Sequence, residues 1–475
     1  MKYETVIGLE VHLQLKTRTK AFCSCSVQFG QEPNSAVCPV CLGFPGTLPV
    51  FNKEVLRSAI KVALALNCEV QEYTKFDRKN YFYPDLPKDY QISQYDLPLS
   101  KNGYLDITSA EEHKRIGITR VHMEEDAGKL IHEGNLSLVD FNRTGIPLLE
   151  IVSEPDLRSP QEAFDYLTIL KNIIEYLDVS DCDMEKGSLR CDANISLRIS
   201  GKQALGVKAE LKNMNSFKGV KDALFFEVLR QTDMLESGQK MVQETRLWDA
   251  DKGQTVTMRT KEGAKDYRYF SDPDLTAFLI DKKIIQDAKD NLPELPQAKV
   301  RRFVEEYRIS EYEARILSVS KDDADFAEDC FRASGEKVNK TVVNWLIGPL
   351  LSEANARGLK VCRVGITAQG IVDLIGFVQR QEISNLSAKS VLTEMLDSKK
   401  SAAQIIKDKN LLQISDTASL EVMINEVLAD NAKSVADFKS GKTSALMFLV
   451  GQVMKRSQGK ANPKLLQEMI KGRLS

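Results

Sequence analysis

Thr5–Leu15 reads TVIGLEVHLQL, and in it Ile7, Leu9, Val11, Leu13 and Leu15 alternate with Gly8, Glu10, His12 and Gln14. Successive side chains of a strand point to opposite faces. The spacing therefore predicts a strand that buries its apolar row and projects Glu10 and His12 together from the other side. The pattern recurs downstream. In Ser188–Ile199 (SLRCDANISLRI), Leu189, Cys191, Ala193, Ile195, Leu197 and Ile199 form one face. Ser188, Arg190, Asp192, Asn194, Ser196 and Arg198 form the other. Val207–Lys212 sets Val207, Ala209 and Leu211 against Lys208, Glu210 and Lys212. A merely solvated sheet face tolerates any polar residues, whereas a site for a metal and an anion needs convergent carboxylates, a histidine and a few cations.

The 475 residues leave room for two or three domains with ample core. No apolar run approaches the ~20 residues of a membrane span. Strand-like sequence begins within a few residues of Met1, so neither a signal nor a transit peptide is expected, and the expected location is the cytosol. A net charge of −2 and a pI near 6.2 exclude an overall basic nucleic-acid binder, so any such contact must use a local patch.

Nine cysteines, an odd number, argue against a disulfide framework. Cys23-Ser-Cys25 and Cys38-Pro-Val-Cys41 flank a loop containing Gly30, Pro33 and Asn34, and such pairs can close one tetrahedral site for structural zinc. The alternatives are four unrelated buried thiols or a redox pair. Four thiolates would leave no open position for water, which disfavours a catalytic zinc. Cys68, Cys182, Cys191, Cys330 and Cys362 are scattered and read as core or incidental.

Up to about Asp290 short alternating segments dominate, with turn signals such as Lys101-Asn-Gly103 and Asp251-Lys-Gly253. Two helical stretches interrupt them. Asn52–Leu66 spaces Val55, Leu56, Ala59, Ile60, Ala63 and Leu66 at helical intervals, and Pro160–Leu177 follows Ser159 as N-cap. This predicts a largely antiparallel sheet. Asn291-Leu-Pro-Glu-Leu-Pro296 is a linker, because two close prolines stop regular structure. Helical sequence follows at Ala298–Tyr307, Glu311–Leu317, Lys321–Ala333, Thr341–Ala356 and Thr367–Gln379, with a second break near Asp408–Asp416. The expected fold is α+β: a β domain with flanking helices at 1–292, an all-α domain at 293–407 and a small helical tail at 408–475.

The densest acids lie in Ile118–Lys129 (ITRVHMEEDAGK) and Asp140–Glu154 (DFNRTGIPLLEIVSE). If the strand persists, Glu124 shares a face with His122, whereas Glu125 shares one with Val121 and Met123, where a carboxylate is costly unless paired. A lone Glu reads as surface. Glu10, His12, Glu124, Glu125, Glu150, Asp192 and Glu210 in strands of one sheet suit Mg²⁺. Zinc hydrolysis would want more imidazole than four histidines supply, and His113 and His132 read as surface. Lys75–Asp85 (KFDRKNYFYPD) and Asp266–Phe270 (DYRYF) interleave cations and aromatics, which suits phosphate and a base but also an amphipathic edge strand. Gly441-Lys442-Thr443 is not a P-loop, since position 436 is Ala and no strand precedes it. No Ser–Lys or Cys–His arrangement for amide hydrolysis is evident.

The runs GLEVH (8–12), FDRKNYFYPD (76–85), RVHMEEDAGK (120–129), GSLRCDANIS (187–196) and KAELKNMNSF (208–217), with the ending around Gly441–Met454 and Gly459–Pro463, resemble GatB, the B component of the tRNA-dependent amidotransferase GatCAB. The resemblance covers the whole chain, is closest to members with the four cysteines, and leaves no room for the inserted domain of the archaeal relative GatE. It implies an antiparallel β cradle, a helical domain and a helical tail. It also implies that ATP phosphorylates the side-chain carboxylate of Glu-tRNA(Gln) or Asp-tRNA(Asn). Ammonia from the partner amidase, the A component of GatCAB, would then displace phosphate, in a complex that also holds the small C component. By motif match Glu10, His12, Glu125, Glu150, Asp192 and Glu210 are the activation and Mg²⁺ site, Glu124 on the face of His122 is a further candidate ligand, and Lys79, Ser188 and Arg190 are candidates for the nucleotide phosphates.

The main rival is a non-catalytic tRNA-binding scaffold, against which the clustered acids count; a self-contained ligase using free ammonia is a third reading. From Lys433 onward nine cations face two acids, a balance of +7, and Lys442, Lys455, Arg456, Lys460 and Lys464 are the candidates for tRNA phosphates. The bland alternative is a solubilising helical face. Leu446, Phe448, Leu449, Val450 and Val453 would give the tail a small core of its own.

Overall fold

The computed structural model of the chain describes every residue except 1, 110–111, 261–265, 336–339, 413–416, 458–460 and 475. It divides into two compact units, Met1–Leu295 and Pro296–Ser475.

The first unit begins with β1 (Tyr3–Gln14), β2 (Glu69–Val70), β3 (Tyr73–Thr74), β4 (Asp77–Asn80), β5 (Tyr90–Ser93), β6 (Ser100–Ser109), β7 (Glu112–Glu125) and β8 (Lys129–Glu133). It continues with β9 (Leu136–Asp140), β10 (Pro147–Ser153), β11 (Leu189–Ile199), β12 (Ala209–Lys212), β13 (Glu244–Asp249), β14 (Gln254–Thr260), β15 (Phe270–Ser271) and β16 (Phe278–Leu279). Its helices are α1 (Lys53–Ala65), α2 (Pro160–Leu177), α3 (Phe217–Glu236) and α4 (Lys282–Asp290).

Nine strands form one sheet in the order β14-β13-β12-β11-β1-β10-β7-β6-β2. Its pairings are antiparallel except β12 with β13. The alternation in β1 has the expected consequence. Ile7, Leu9, Val11 and Leu13 are buried in a core shared with Ile60 of α1, Leu170 of α2 and Leu224 of α3, while Glu10, His12 and Gln14 line the other face. The helices cover the apolar side, α1 against β7, α2 against β6 and α3 against β11. A small sheet, β15-β4-β5, lies beside β7.

The helix starts follow local chemistry. Asn52 accepts from the Glu54 amide, and Ser159 accepts from the Glu162 amide with Pro160 in the first turn. Two helices before residue 291 escape the sequence reading. The buried side of α3 includes Glu227 and Gln231, which erase its apolar periodicity, and α4 buries only Ala288.

The second unit holds α5 (Pro296–Tyr307), α6 (Glu311–Leu317), α7 (Lys321–Ala333), α8 (Lys340–Trp345), α9 (Leu351–Ala356), α10 (Ala368–Gln379), α11 (Asn385–Ser398) and α12 (Ala402–Asp408). After these come α13 (Thr417–Asp430), α14 (Ala432–Lys439), α15 (Ser444–Arg456) and α16 (Pro463–Leu474). The helix expected over Thr341–Ala356 is interrupted by a π-helical turn at Leu346–Leu350, where Pro349 lacks the amide proton an α-helix needs. The last four helices close on Leu420, Ile424, Leu449, Val453 and Leu466. Among the described residues no helix is long and apolar enough to cross a membrane.

Candidate active site

Strand register builds the site. On the polar face His12 of β1 lies opposite Arg190 of β11 on one side and Glu150 of β10 on the other, and Glu150 lies opposite His122 of β7. Glu124 follows His122 by two residues and shares its face. His12 Nε2 is 3.4 Å from Glu150 Oε2. His122 Nε2 is 2.9 Å from Glu124 Oε1 and 3.4 Å from Glu150 Oε2. One ligand atom each from His12, Glu124 and Glu150 lie within 4.8 Å of one another. From the small sheet Ser93 Oγ donates to Glu124 Oε1 at 2.7 Å, and Gln91 Nε2 donates to Oε2 at 3.1 Å.

Two carboxylates this close need positive charge. Burial works against the His122 imidazolium, but the charges of Glu150 and Glu124 override it and raise the group to about 9. His12 is raised by the same contest between burial and Glu150. Glu150 is held well below the usual carboxylate range despite burial, by His122 and His12. Lys79 of β4 is also raised, the fields of Glu124, Tyr269 and Glu150 outweighing its burial. Its ammonium lies 5.1 Å from the Tyr267 ring centroid.

Further along this face Glu10 lies opposite Asp192, and its Oε1 accepts from Asn194 Nδ2 at 2.9 Å. Lys212 binds Asp192 and stands 3.1 Å from Glu210, which also accepts from Thr245 Oγ1 at 2.8 Å. Glu125 is not gathered with this set. Alternation turns it away from Glu124, and there Lys88 binds it and the Ile92 amide donates to it at 3.0 Å. A cavity of about 90 Å³ lies there, between Glu125, Lys20, Gly145 and Cys41. Adjacent residues of a strand cannot both face the site.

The Sγ atoms of Cys23, Cys25, Cys38 and Cys41 also lie within 4.8 Å of one another, and none forms a disulfide. The Cys38 amide donates to Cys41 Sγ at 3.1 Å, and the buried Lys20 Nζ stands 3.6 Å from it. Hydrogen bonding from Cys23, against burial and helped by the Cys38 amide and Lys20, lowers the Cys41 thiol to about 4. A thiolate inside an all-sulfur set fits a closed, four-coordinate structural metal site.

The phosphate candidates divide. Lys79 lies opposite Gln91, whose amide donates to Glu124. Arg190 lies in the row of His12, with Nη2 3.0 Å from Asp126 Oδ1. The Ser188 hydroxyl accepts from the Asp183 amide at 2.8 Å and donates to its carbonyl at 3.1 Å, closing a turn. The rest of the Lys75–Asp85 run is structural in part: Arg78 bonds Asp272 at 3.0 Å and Asp274 at 2.8 Å. His122 and Lys212 are the residues the sequence reading left unassigned, although alternation with Glu124 and Glu210 marks both.

In the second unit, Lys442 pairs with Asp437 at 3.0 Å, and Arg456 pairs with Glu426 at 3.0 Å and Asp430 at 3.1 Å. Lys455 is exposed. Lys460 and the side chain of Lys464 lie outside the described residues.

Comparison with known proteins identifies the family. A family model described as the GatB/GatE catalytic domain matches residues 5–286, and one described as the GatB domain matches residues 325–474. A relative from Carboxydothermus hydrogenoformans is 53% identical over 479 residues, covering 100% of this chain and 99% of its own. Another from Moorella thermoacetica is 53% identical over 478 residues, covering 100% of both. A third from Persephonella marina is 50% identical over 475 residues, covering 99% of this chain and 100% of its own. All three are named as the B component of an aspartyl/glutamyl-tRNA(Asn/Gln) amidotransferase. With both halves matched and relatives aligned from end to end, the chain belongs to the GatB family.

Proposed function

We propose that this chain is the activating component of an aspartyl/glutamyl-tRNA(Asn/Gln) amidotransferase. It phosphorylates the side-chain carboxylate of Glu-tRNA(Gln) or Asp-tRNA(Asn) with ATP and completes amidation with ammonia from a partner amidase. The observation that carries the reading is the convergence of His12, His122, Glu124 and Glu150 from three strands, with Lys79 in the field of the two carboxylates. A carboxylate cannot expel oxide. Its oxygen must first take the γ-phosphoryl group, releasing ADP; ammonia then forms the C–N bond as the C–O bond breaks and phosphate leaves.

Glu124 and Glu150, with His12 once its imidazole gives up a proton, would hold Mg²⁺, and the bound ion would neutralise the phosphates. Lys79 attracts the anionic γ-phosphate toward the same place, and Arg190 stands in the adjoining row. His122 keeps its proton between Glu124 and Glu150, which limits their repulsion and fixes their orientation. Lys212 neutralises Asp192 and Glu210, leaving Glu10 oriented by Asn194. Ser188 acts at one remove by holding the turn that leads into β11. The four cysteines take structural Zn²⁺.

The division into a cradle at 1–292, a helical domain at 293–407 and a tail at 408–475 belongs to the same reading. So do a cytosolic location, partnership with the amidase and the small third component, and tRNA contact through Lys442, Lys455, Arg456, Lys460 and Lys464. Nothing favours the scaffold alternative, since an RNA backbone would repel the clustered acids. Glu150→Gln in the assembled complex should abolish ADP release dependent on misacylated tRNA while glutamine hydrolysis persists. Retention of that ADP release would overturn the assignment.

A further inference from the structure

Two runs that look unrelated in sequence meet in the fold. Arg78 of β4 lies opposite Phe270 of β15, which brings Lys75–Asp85 and Asp266–Phe270 side by side. Four tyrosines then form a chain. Tyr81 meets Tyr267 edge-on at 6.0 Å, and Tyr267 meets Tyr269 edge-on at 6.2 Å. Tyr269 stacks on Tyr95 at 4.4 Å with an interplanar angle of 12°.

Three features set this chain of rings apart from ordinary packing. A stack made for stability buries both rings, yet Tyr95 is 62% exposed, so one broad face meets solvent. The stack is also held in place from outside. The Tyr95 amide donates to Asp77 Oδ2 at 2.9 Å, and Asp77, 1% exposed, pairs with Lys75 at 2.9 Å. Finally, Arg268 adopts a φ of +46°, a conformation that disfavours a side-chain-bearing residue. Asn80 holds the kink by donating to the Arg268 carbonyl at 2.7 Å, and it lies between Lys79 and Tyr81 in sequence.

We propose that the open face of Tyr95 receives the unpaired base at the acylated 3′ end of the RNA substrate. This rests on the reading that Glu124, Glu150 and Lys79 belong to the activation site. An amino acid carried as an ester on a terminal ribose reaches that cluster only if its nucleotide lies about one side-chain length away. The chain of rings meets that condition: Lys79 lies opposite Gln91, whose amide donates to Glu124, and the Lys79 ammonium is 5.1 Å from the ring of Tyr267, the neighbour of Tyr269. The adenine of ATP is separated from its γ-phosphate by ribose and two further phosphates, so the adjacent platform suits the RNA end better. Stacking accepts any base, so the platform contributes affinity without reading sequence.

The test is equilibrium binding of the assembled complex to tRNA with and without its 3′-terminal nucleotide, in the absence of ATP. The wild type should lose roughly five- to a hundredfold in affinity on that truncation. Tyr95→Ala should bind intact tRNA correspondingly weakly and lose nothing more on truncation, whereas Tyr95→Trp should behave as wild type. A Tyr95→Ala variant that still responds to truncation as the wild type does would overturn the proposal. So would a variant whose KM rises for ATP alone, which would assign the platform to adenine. Because these measurements need no phosphoryl transfer, they stand apart from the Glu150→Gln test of the activation site.

Discussion

Two clusters of buried charge in the first unit look alike in composition and differ in closure. Behind β13 and β14, Glu227 of α3 is bonded by Arg230 at 2.8 Å, Arg246 at 3.0 Å and Thr255 at 2.6 Å. Both guanidiniums also reach Glu244, at 3.1 Å from Arg230 and 2.9 Å from Arg246. Two carboxylates meet two permanent cations, and the network closes on itself. Around Glu124 and Glu150 the ion-pair partners are His12 and His122, whose charge depends on a proton, with Lys79 acting through space. The difference teaches how a binding site departs from a structural network. The candidate site is balanced by imidazoles that can give up a proton, while the network is balanced by guanidiniums that cannot.

The sharpest way to break the comparison is to remove one carboxylate from each cluster. Glu150→Gln should cost on the order of 10³-fold or more in tRNA-dependent ADP release, since a metal and its charged ligands act mainly on charge developing in the transition state. Single-turnover kinetics of the assembled complex would measure it. Glu227→Ala should instead destabilise the fold by about 3–5 kcal/mol, because it leaves Arg230 and the buried Arg246 with one carboxylate between them, with near-normal turnover in the protein that remains folded. Denaturant melts paired with activity per folded molecule would show whether the two effects separate.

Acid sharpens the second case. Burial opposes ionisation of Glu227, but hydrogen bonds from Arg230 and Thr255 hold its carboxyl below the ordinary glutamate value of 4.5. Its contribution is therefore present above that value and lost as pH falls through the lowered one. Glu227→Gln should flatten the acid limb of the stability curve.

Adding Mg²⁺ at about a hundredfold excess over its dissociation constant should raise wild-type stability by about 2.7 kcal/mol. Glu227→Ala should show the same increment from a lower baseline, and Glu150→Gln should lose it. Equal responses in all three would show that the ion binds elsewhere. The smallest effect belongs to the exposed tail. Lys455→Ala should reduce the slope of log tRNA affinity against log salt by about one, with little change in ADP release at saturating tRNA. An unchanged slope would leave the basic tail as a solvated face.

Much of this was legible before any fold was known. The alternation in Thr5–Leu15 and Ser188–Ile199 identified the strands and the face that carries Glu10, His12, Arg190 and Asp192. It also separated Glu124 from Glu125, although motif resemblance placed Glu125 in the site. Ser159 and Pro160 announced α2. By contrast α3 was hidden because Glu227 and Gln231 occupy its buried side, and only their partners on β11, β13 and β14 explain why polar groups lie there.

The sequence by itself determined which residues share a face within each strand, because a period of two is a local property of the backbone. It likewise determined that four cysteines come in two closely spaced pairs and that the chain average is not basic. Only the tertiary structure decided which strands are neighbours and in what register. That choice set Glu150 between His12 and His122, turned Glu125 toward Lys88 and brought Tyr95 onto Tyr269. Pairing between strands far apart in sequence depends on long-range packing of the buried faces, and no local pattern encodes it.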